Sequence, residues 1–264
     1  MKIGIVGVGM VGGTLKFGFE RLGHDVRCYD VAVQRTKLSD VLDTDLAFIC
    51  VPTPGRPDGS CDTSIVENSV TALHGLGYQG HIVVKSTVTP GTTNKLIGCL
   101  GRHVAFCPEF LRERTAVADF CDYHDVCIIG TNTGEQFDLV KAAHGHYPRR
   151  FERMTPTEAE LAKYFANTLN ALKITFANQF YDVCKDLGAD YAAIHRAVSH
   201  RSNVGWHYLE CNERLRAYAG NCLPKDVKAF RHYVRTQTDV DPTLWAIIDS
   251  LNETKAKADE ASAA

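Results

Sequence analysis

Lys2-Ile3-Gly4-Ile5-Val6-Gly7-Val8-Gly9-Met10-Val11-Gly12 decides the fold. A short apolar run ends in a GxGxxG turn, and a helix-forming stretch follows, which is the opening of a dinucleotide-binding βαβ unit. The glycines allow a tight turn and let a pyrophosphate approach the helix N-terminus, with Val8, Met10 and Val11 forming the rest of the loop. Asp30 closes the next apolar run about 20 residues on, where a carboxylate can accept hydrogen bonds from an adenine ribose. Such a carboxylate repels a 2'-phosphate, so the expected cofactor is NAD. Arg35 reads either as a weak pull towards NADP or as a cation lying over the adenine.

Working outward, short β-rich runs alternate with longer mixed segments through residue 130, as in an open parallel sheet covered on both faces. Strands are expected at Lys2 to Val6, Asp25 to Tyr29, Leu46 to Val51, His81 to Lys85, His103 to Cys107 and Asp125 to Gly130. The character changes after Met154. Thr155-Pro156-Thr157-Glu158 resembles a helix start, and no breaker follows before Gly188. Its apolar positions, Leu161, Phe165, Leu169, Leu172, Phe176, Phe180, Val183 and Leu187, recur in steps of three and four. They read as a core-facing stripe or as a homodimer seam. Further helices are expected at Tyr191 to Ser199, after Pro224 and from Pro242 to Lys257, with a frayed tail from Lys255. The fold class is therefore α/β: a Rossmann doubly wound parallel sheet over residues 1–154, then a helical domain with one long helix over 155–264.

The 264 residues are 45% hydrophobic and 23% charged, enough apolar matter for a packed core. Twenty-nine Lys and Arg face 31 Asp and Glu, without long blocks of one sign, so neither nucleic acid nor an anionic membrane is an expected partner. No stretch of about 18 apolar residues spans a bilayer, and the N-terminus lacks the layout of a secretory signal, so a cytoplasmic location is expected. The ten cysteines show no CxxC pair and read as thiols. Cys50, Cys99, Cys107, Cys127 and Cys184 lie in apolar runs and read as small hydrophobes. His144 and His146 are two apart with no further ligand at zinc-like spacing, so no metal site is expected.

Downstream motifs lie where an open α/β sheet binds ligands, at the carboxyl ends of its strands. They are Cys50-Val51-Pro52-Thr53-Pro54, Lys85-Ser86-Thr87-Val88 and Pro108-Glu109-Phe110-Leu111-Arg112-Glu113. Lys163 and Asn167, four apart, project from one face of the long helix, offset from the stripe. Cys222-Leu223-Pro224-Lys225-Asp226 completes the set: the turn fixed by Pro224 can place the Lys225 cation near the Cys222 sulfur and favour a thiolate.

Taken in order, these motifs resemble the nucleotide-sugar dehydrogenases, the UDP-glucose and GDP-mannose 6-dehydrogenase family. The resemblance implies two successive NAD-dependent oxidations of a primary alcohol to a carboxylate, without release of the aldehyde. It implies that Cys222 captures the aldehyde and later holds a thioester. Lys163 and Asn167 would stabilise the developing oxyanion. Asp226 and Thr87 would position water, and Glu109 would act as general base. Val51, Pro52, Thr53, Glu113, Arg35 and Lys225 would contact the cofactor. Phe110, Leu111, Arg112, Lys163, Asn167 and Gly220 would contact the substrate.

Three departures stand out. Only Val31 to Asp45 separates the second and third strands, a shortened surface element. The family's glycine-rich loop before the cysteine is replaced by Glu210 to Ala219, with Gly220 retained. The sequence stops where the family continues into a second, nucleotide-gripping domain. A two-electron hydroxyacid dehydrogenase, of the 6-phosphogluconate or hydroxyisobutyrate type, therefore stands as the alternative, with a non-catalytic NAD-binding remnant as the third reading.

Overall fold

The structure, a computed structural model, describes residues 1–101, 104–220 and 222–263, with side chains through residue 257. His103, the expected start of the fifth strand, lies outside the described residues. The chain divides into two compact units, Met1–Pro54 with Asp62–Lys163, and Gly55–Cys61 with Tyr164–Ala264.

In the first unit, seven strands form one sheet: β1 (Lys2–Val6), β2 (Asp25–Tyr29), β3 (Leu46–Ile49), β4 (His81–Val84), β5 (Val104–Phe106), β6 (Cys127–Gly130) and β7 (Phe151–Met154). Their spatial order is β2-β1-β3-β4-β5-β6-β7, with parallel pairing from β2 through β5. Alternate residues of each strand feed opposite faces. Ile3, Ile5, Leu46, Phe48 and Val83 pack with Leu15 and Phe19 of α1 (Met10–Arg21), Phe120 of α4 (Ala116–Cys121) and Val140 of α5 (Gly134–His144). Val6, Ala47, Ile49, Ile82 and Val84 pack with Val66, Val70 and Leu73 of α2 (Ser64–Gly75) and Leu96 of α3 (Thr92–Leu100). Burial on both faces is why these runs lack a polar alternation.

The doubly wound order 3-2-1-4-5-6, stripped of its third strand, gives the order seen here. A single 3-10 turn at Leu38–Val41 occupies the short β2–β3 connection, and β2 is left as the half-exposed sheet edge. Two expectations need correction. β6 meets β5 antiparallel, through the single pair Phe106↔Gly130, so the sheet is not parallel throughout. β7 was not anticipated: its four residues, Phe-Glu-Arg-Met, are half-exposed or exposed edge positions and carry almost no apolar signal.

The second unit is helical. The long helix α6 (Pro156–Asp186) starts in the first unit, and the boundary falls between its residues Lys163 and Tyr164. Its start is a reciprocal cap: the Thr155 amide donates to Glu158 Oε2 (2.8 Å) and the Glu158 amide to Thr155 Oγ1 (3.4 Å). At the other end the Ala189 amide donates to the Cys184 carbonyl (2.8 Å) beyond left-handed Gly188. The core-facing reading of the apolar stripe is overturned. Phe165 is 70% exposed, Phe176 57% and Leu187 74%, and the other five positions are exposed as well. The inward face is small and polar instead: Thr168, Ala171, Thr175, Ala177 and Asn178 are buried. Helices α7 (Tyr191–Ser199), α8 (Leu223–Gln237) and α9 (Thr243–Ala263) follow, and the core of this unit joins Ala177 to Tyr191 and Leu209, and Ala171 to Tyr218, Val227 and Ile248. Helix α9 runs on to Ala263 rather than fraying from Lys255. Among the described residues, no helix is long and apolar enough to cross a membrane.

Candidate active site

In the first unit, Gly7 adopts φ +91°, and a Cβ there would stand 2.7 Å from the Cys50 carbonyl oxygen. A Cβ on Gly12 would meet the Gly7 carbonyl at 1.9 Å, so α1 can approach the turn only with glycine at that position. A Cβ on Gly9, by contrast, would meet nothing within 4 Å, and this open face at the start of α1 suits a pyrophosphate. Asp30, at the end of β2, accepts from the Val8 amide (2.6 Å) and the Ala32 amide (2.8 Å). These bonds, that from Val8 foremost, hold its carboxyl below the usual range, so it is an anion with lone pairs left for ribose hydroxyls. The loop, its open face and the carboxylate fit a dinucleotide. Arg35 lies exposed, five residues past Asp30, at φ 78°.

The ends of β3, β4 and β5 come next. Ser86 Oγ donates to the Val51 carbonyl (2.6 Å) and ties the β4 end to the β3 end. Thr53 is buried, Pro52 exposed, Val51 and Thr87 half-buried. Beyond β5, Glu109 meets Lys163 of α6, Nζ to Oε1 at 3.1 Å, and Nζ also donates to the Glu109 carbonyl. Their side chains are 10% and 5% exposed. Burial pushes the Glu109 carboxyl up, but Lys163, the Leu111 amide (2.7 Å) and Lys85 outweigh it and hold it below the ordinary value. Lys163 Nζ also lies 5.3 Å from the centre of the exposed Phe110 ring. Arg112 is pinned on Asp119 (Nη2 to Oδ1, 2.6 Å), and Glu113 is exposed at the start of a 3-10 turn.

Sequence reasoning missed Glu160. It is buried and caps α3, accepting from the amides of Gly91 (2.6 Å) and Thr93 (2.8 Å). One turn before Lys163, it fixes the start of α6 and so the height at which the ammonium emerges. Its spacing to Lys163 reads in sequence as an ordinary surface ion pair.

In the second unit, Asn167 Nδ2 donates to Asp226 Oδ2 (2.6 Å), and Lys225 Nζ donates to the other oxygen, Oδ1 (2.6 Å). Asp226 and Asn167 are buried, at 1% and 7% exposure. Burial lowers the Lys225 pKa, but the Asp226 carboxylate, with Cys61 and Cys222, more than reverses it, so the ammonium is secured. Cys222 is the N-cap of α8, and its carbonyl accepts from the Asp226 amide (2.9 Å). The thiol is exposed at the N-terminus of the helix, with Pro224 in the first turn. Gly220 sits just ahead at φ +81°. The departed loop is stapled within this unit, through Glu213 to Lys185 (2.9 Å) and Tyr218 to Asn252 (2.7 Å).

The structure thus gathers Glu109 with Lys163 in one unit, and Asn167, Lys225, Asp226 and Cys222 in the other. A GDP-mannose 6-dehydrogenase of Pseudomonas aeruginosa is 30% identical over 312 residues, spanning 98% of this chain and 70% of the relative. The chain belongs to the UDP-glucose/GDP-mannose dehydrogenase family. The family's NAD binding domain matches residues 33–147 and its central domain residues 157–254. A UDP-glucose 6-dehydrogenase of Haloferax volcanii is 30% identical, over 94% of this chain and 69% of its own length. The UDP-glucose dehydrogenase structure from Pyrobaculum islandicum superposes with a TM-score of 0.87 at 30% identity, over 96% of this chain and 68% of its own. As a member of this family the chain is an NAD-dependent dehydrogenase, and its reaction class is the oxidation of nucleotide sugars.

Proposed function

We propose that this family member carries out the four-electron reaction, oxidising the primary alcohol of a UDP-glucose-type nucleotide sugar to the uronic acid. The observation that carries the reading is Cys222 at the N-terminus of α8, in the same turn as the buried Lys225–Asp226–Asn167 network. A two-electron dehydrogenase has no use for a cysteine held this way. NAD, bound by the Gly7–Gly12 loop, Asp30, Arg35, Val51, Pro52, Thr53, Glu113 and Lys225, supplies the two-electron acceptor for each oxidation.

Once the alcohol is an aldehyde, the Cys222 sulfur adds to its carbonyl carbon and the sulfhydryl proton passes to the oxygen, giving a thiohemiacetal. Lys163 and Asn167 stabilise the oxyanion that develops there. A second oxidation removes the carbon-bound hydride and the hydroxyl proton and leaves a thioester. Glu109 takes a proton from a water ordered with Asp226 and Thr87; the hydroxide displaces the sulfur, and carboxylate and thiol are released. Phe110, Leu111, Arg112 and Gly220 complete the substrate contacts.

The exposed stripe on α6 supports a homodimer with this helix at the seam, because eight large apolar side chains on one face exceed what a monomer leaves in water. The deciding experiment counts NADH per acid formed across a panel of nucleotide sugars and hydroxyacids. Two per product on a nucleotide sugar is expected; one per product on a hydroxyacid replaces this reading with the two-electron one, and none with the non-catalytic one.

A further inference from the structure

A second constellation lies in the core of the first unit, and neither cofactor binding nor the oxidation uses it. Cys107, just past β5, Cys127, at the start of β6, and His144, at the end of α5, are each at most 1% exposed. Their donor atoms all lie within 4.8 Å of one another, and the two sulfurs are 3.7 Å apart. Two thiolates bound about 2.3 Å from one ion stand about 3.8 Å apart at a tetrahedral angle and about 4.0 Å at a trigonal one, so a shift of a few tenths of an ångström turns this pair into ligands.

His144 supplies the independent sign. Its Nδ1 faces the Val140 carbonyl at 2.8 Å, and because a carbonyl only accepts, Nδ1 carries the hydrogen and Nε2 a lone pair. Nε2 is fully buried and finds no nitrogen or oxygen partner among the described residues; the Cys107 and Cys127 sulfurs are the groups that face it. A buried acceptor left unmatched is costly, whereas a metal-bound histidine characteristically donates its other N–H to a backbone carbonyl. Phe19, Phe48 and Phe120 surround this ring, at 5.4, 5.9 and 5.7 Å between centroids, and keep the site dry.

We propose that Cys107, Cys127 and His144 form a binding site for a thiophilic d10 metal ion, separate from the catalytic machinery. The charges favour Cu(I) over Zn(II). Lys85, 3% exposed, directs its ammonium at Cys107 Sγ from 3.4 Å. Two thiolates, this ammonium and a monovalent ion sum to zero, whereas a divalent ion leaves a net positive charge in a dry interior. Three donors also satisfy Cu(I), while structural zinc takes four, and no fourth His, Cys, Asp or Glu joins this cluster among the described residues.

The site is enclosed, so the ion enters as the chain folds. The test is metal content of the full chain produced in cells supplemented with copper or with zinc and purified without oxygen. One copper per chain is expected, with zinc at a small fraction of that. Copper should fall at least about tenfold in Cys127→Ala and in His144→Phe, each shown to be folded by NAD binding. It should be unchanged in Cys99→Ala/Cys222→Ala, which removes the exposed thiols. Neither metal retained by the parent chain, or copper retained equally by Cys127→Ala and His144→Phe, overturns the site; zinc in place of copper overturns the choice of ion.

Discussion

Lys163 of α6 and Glu109 beyond β5 form a buried ion pair, Nζ to Oε1 at 3.1 Å, in which the ammonium also binds the carbonyl of its own partner. A proposed base is thus held by a proposed oxyanion donor. Removing the cation leaves an uncompensated buried carboxylate, at a cost of about 3–5 kcal/mol.

Lys163→Met should therefore invert the pH dependence of stability. In the parent, the Glu109 carboxyl is depressed, so its contribution is complete above the ordinary glutamate value of about 4.3 and is lost as pH falls through the lower folded value. In the variant, burial acts unopposed by Lys163 and raises the carboxyl, so acid becomes stabilising as pH falls through the raised value. Urea midpoints followed from neutral to acid pH check this; parallel curves for the two proteins would show that the pair does not control Glu109.

Glu109→Gln removes the proposed base and keeps the shape. Acid formation should fall about 10²- to 10⁴-fold while NAD affinity holds, and a thioester should accumulate on the protein. Intact mass after quenching detects that adduct; an unchanged rate of acid release removes Glu109 from the mechanism.

Asp30 gives the cofactor preference. Its carboxylate, fixed by the Val8 and Ala32 amides, should bind NAD through the ribose and repel NADP. Asp30→Ala should weaken NAD by about tenfold, the worth of a charged hydrogen bond, and narrow the gap to NADP. Titrations of both cofactors read this, and tighter NADP binding by the parent contradicts the assignment.

The α6 stripe makes a prediction about assembly. Phe165 and Phe176 are exposed, and a glutamate at either should place an unpaired charge in the proposed seam. Light scattering at micromolar concentration should give a dimer for the parent and a monomer for Phe165→Glu or Phe176→Glu. A monomeric parent dismisses the seam.

That stripe also shows how far sequence reaches. Periodicity placed α6 within a residue or two at each end, since Thr155, Glu158 and Gly188 carry local capping chemistry. It did not say which face is inside, because a helix packed through Ala171, Thr175 and Ala177 has the same period as one packed through Phe165, Leu169 and Phe176. Motifs such as the Gly7–Gly12 loop are contiguous and were legible. Cys107, Cys127 and His144 were not, because they come from the segment just past β5, the start of β6 and the end of α5, at separations no local spacing rule covers. The antiparallel β6 escaped notice for a related reason: strand direction depends on partner, and Cys127–Gly130 reads the same either way.

The last prediction separates covalent from simple hydride chemistry through two cysteines of the second unit. Cys222 is exposed at the N-terminus of α8, whereas Cys211 is buried and hydrogen-bonded to Asn178 Oδ1 at 3.6 Å. Cys211→Ala should cost a little stability, about 1 kcal/mol for a lost weak hydrogen bond, and leave acid production intact. Cys222→Ala should abolish acid production with NAD affinity unchanged, since no sulfur remains to trap the aldehyde. Cys222→Ser should stall at an aldehyde or acyl stage, because serine is the poorer nucleophile and an oxygen ester hydrolyses more reluctantly than a thioester. Acid yield and NADH per substrate, measured together, distinguish the three variants. Parental turnover in Cys222→Ala would end the thioester mechanism and leave the two-electron dehydrogenase in its place.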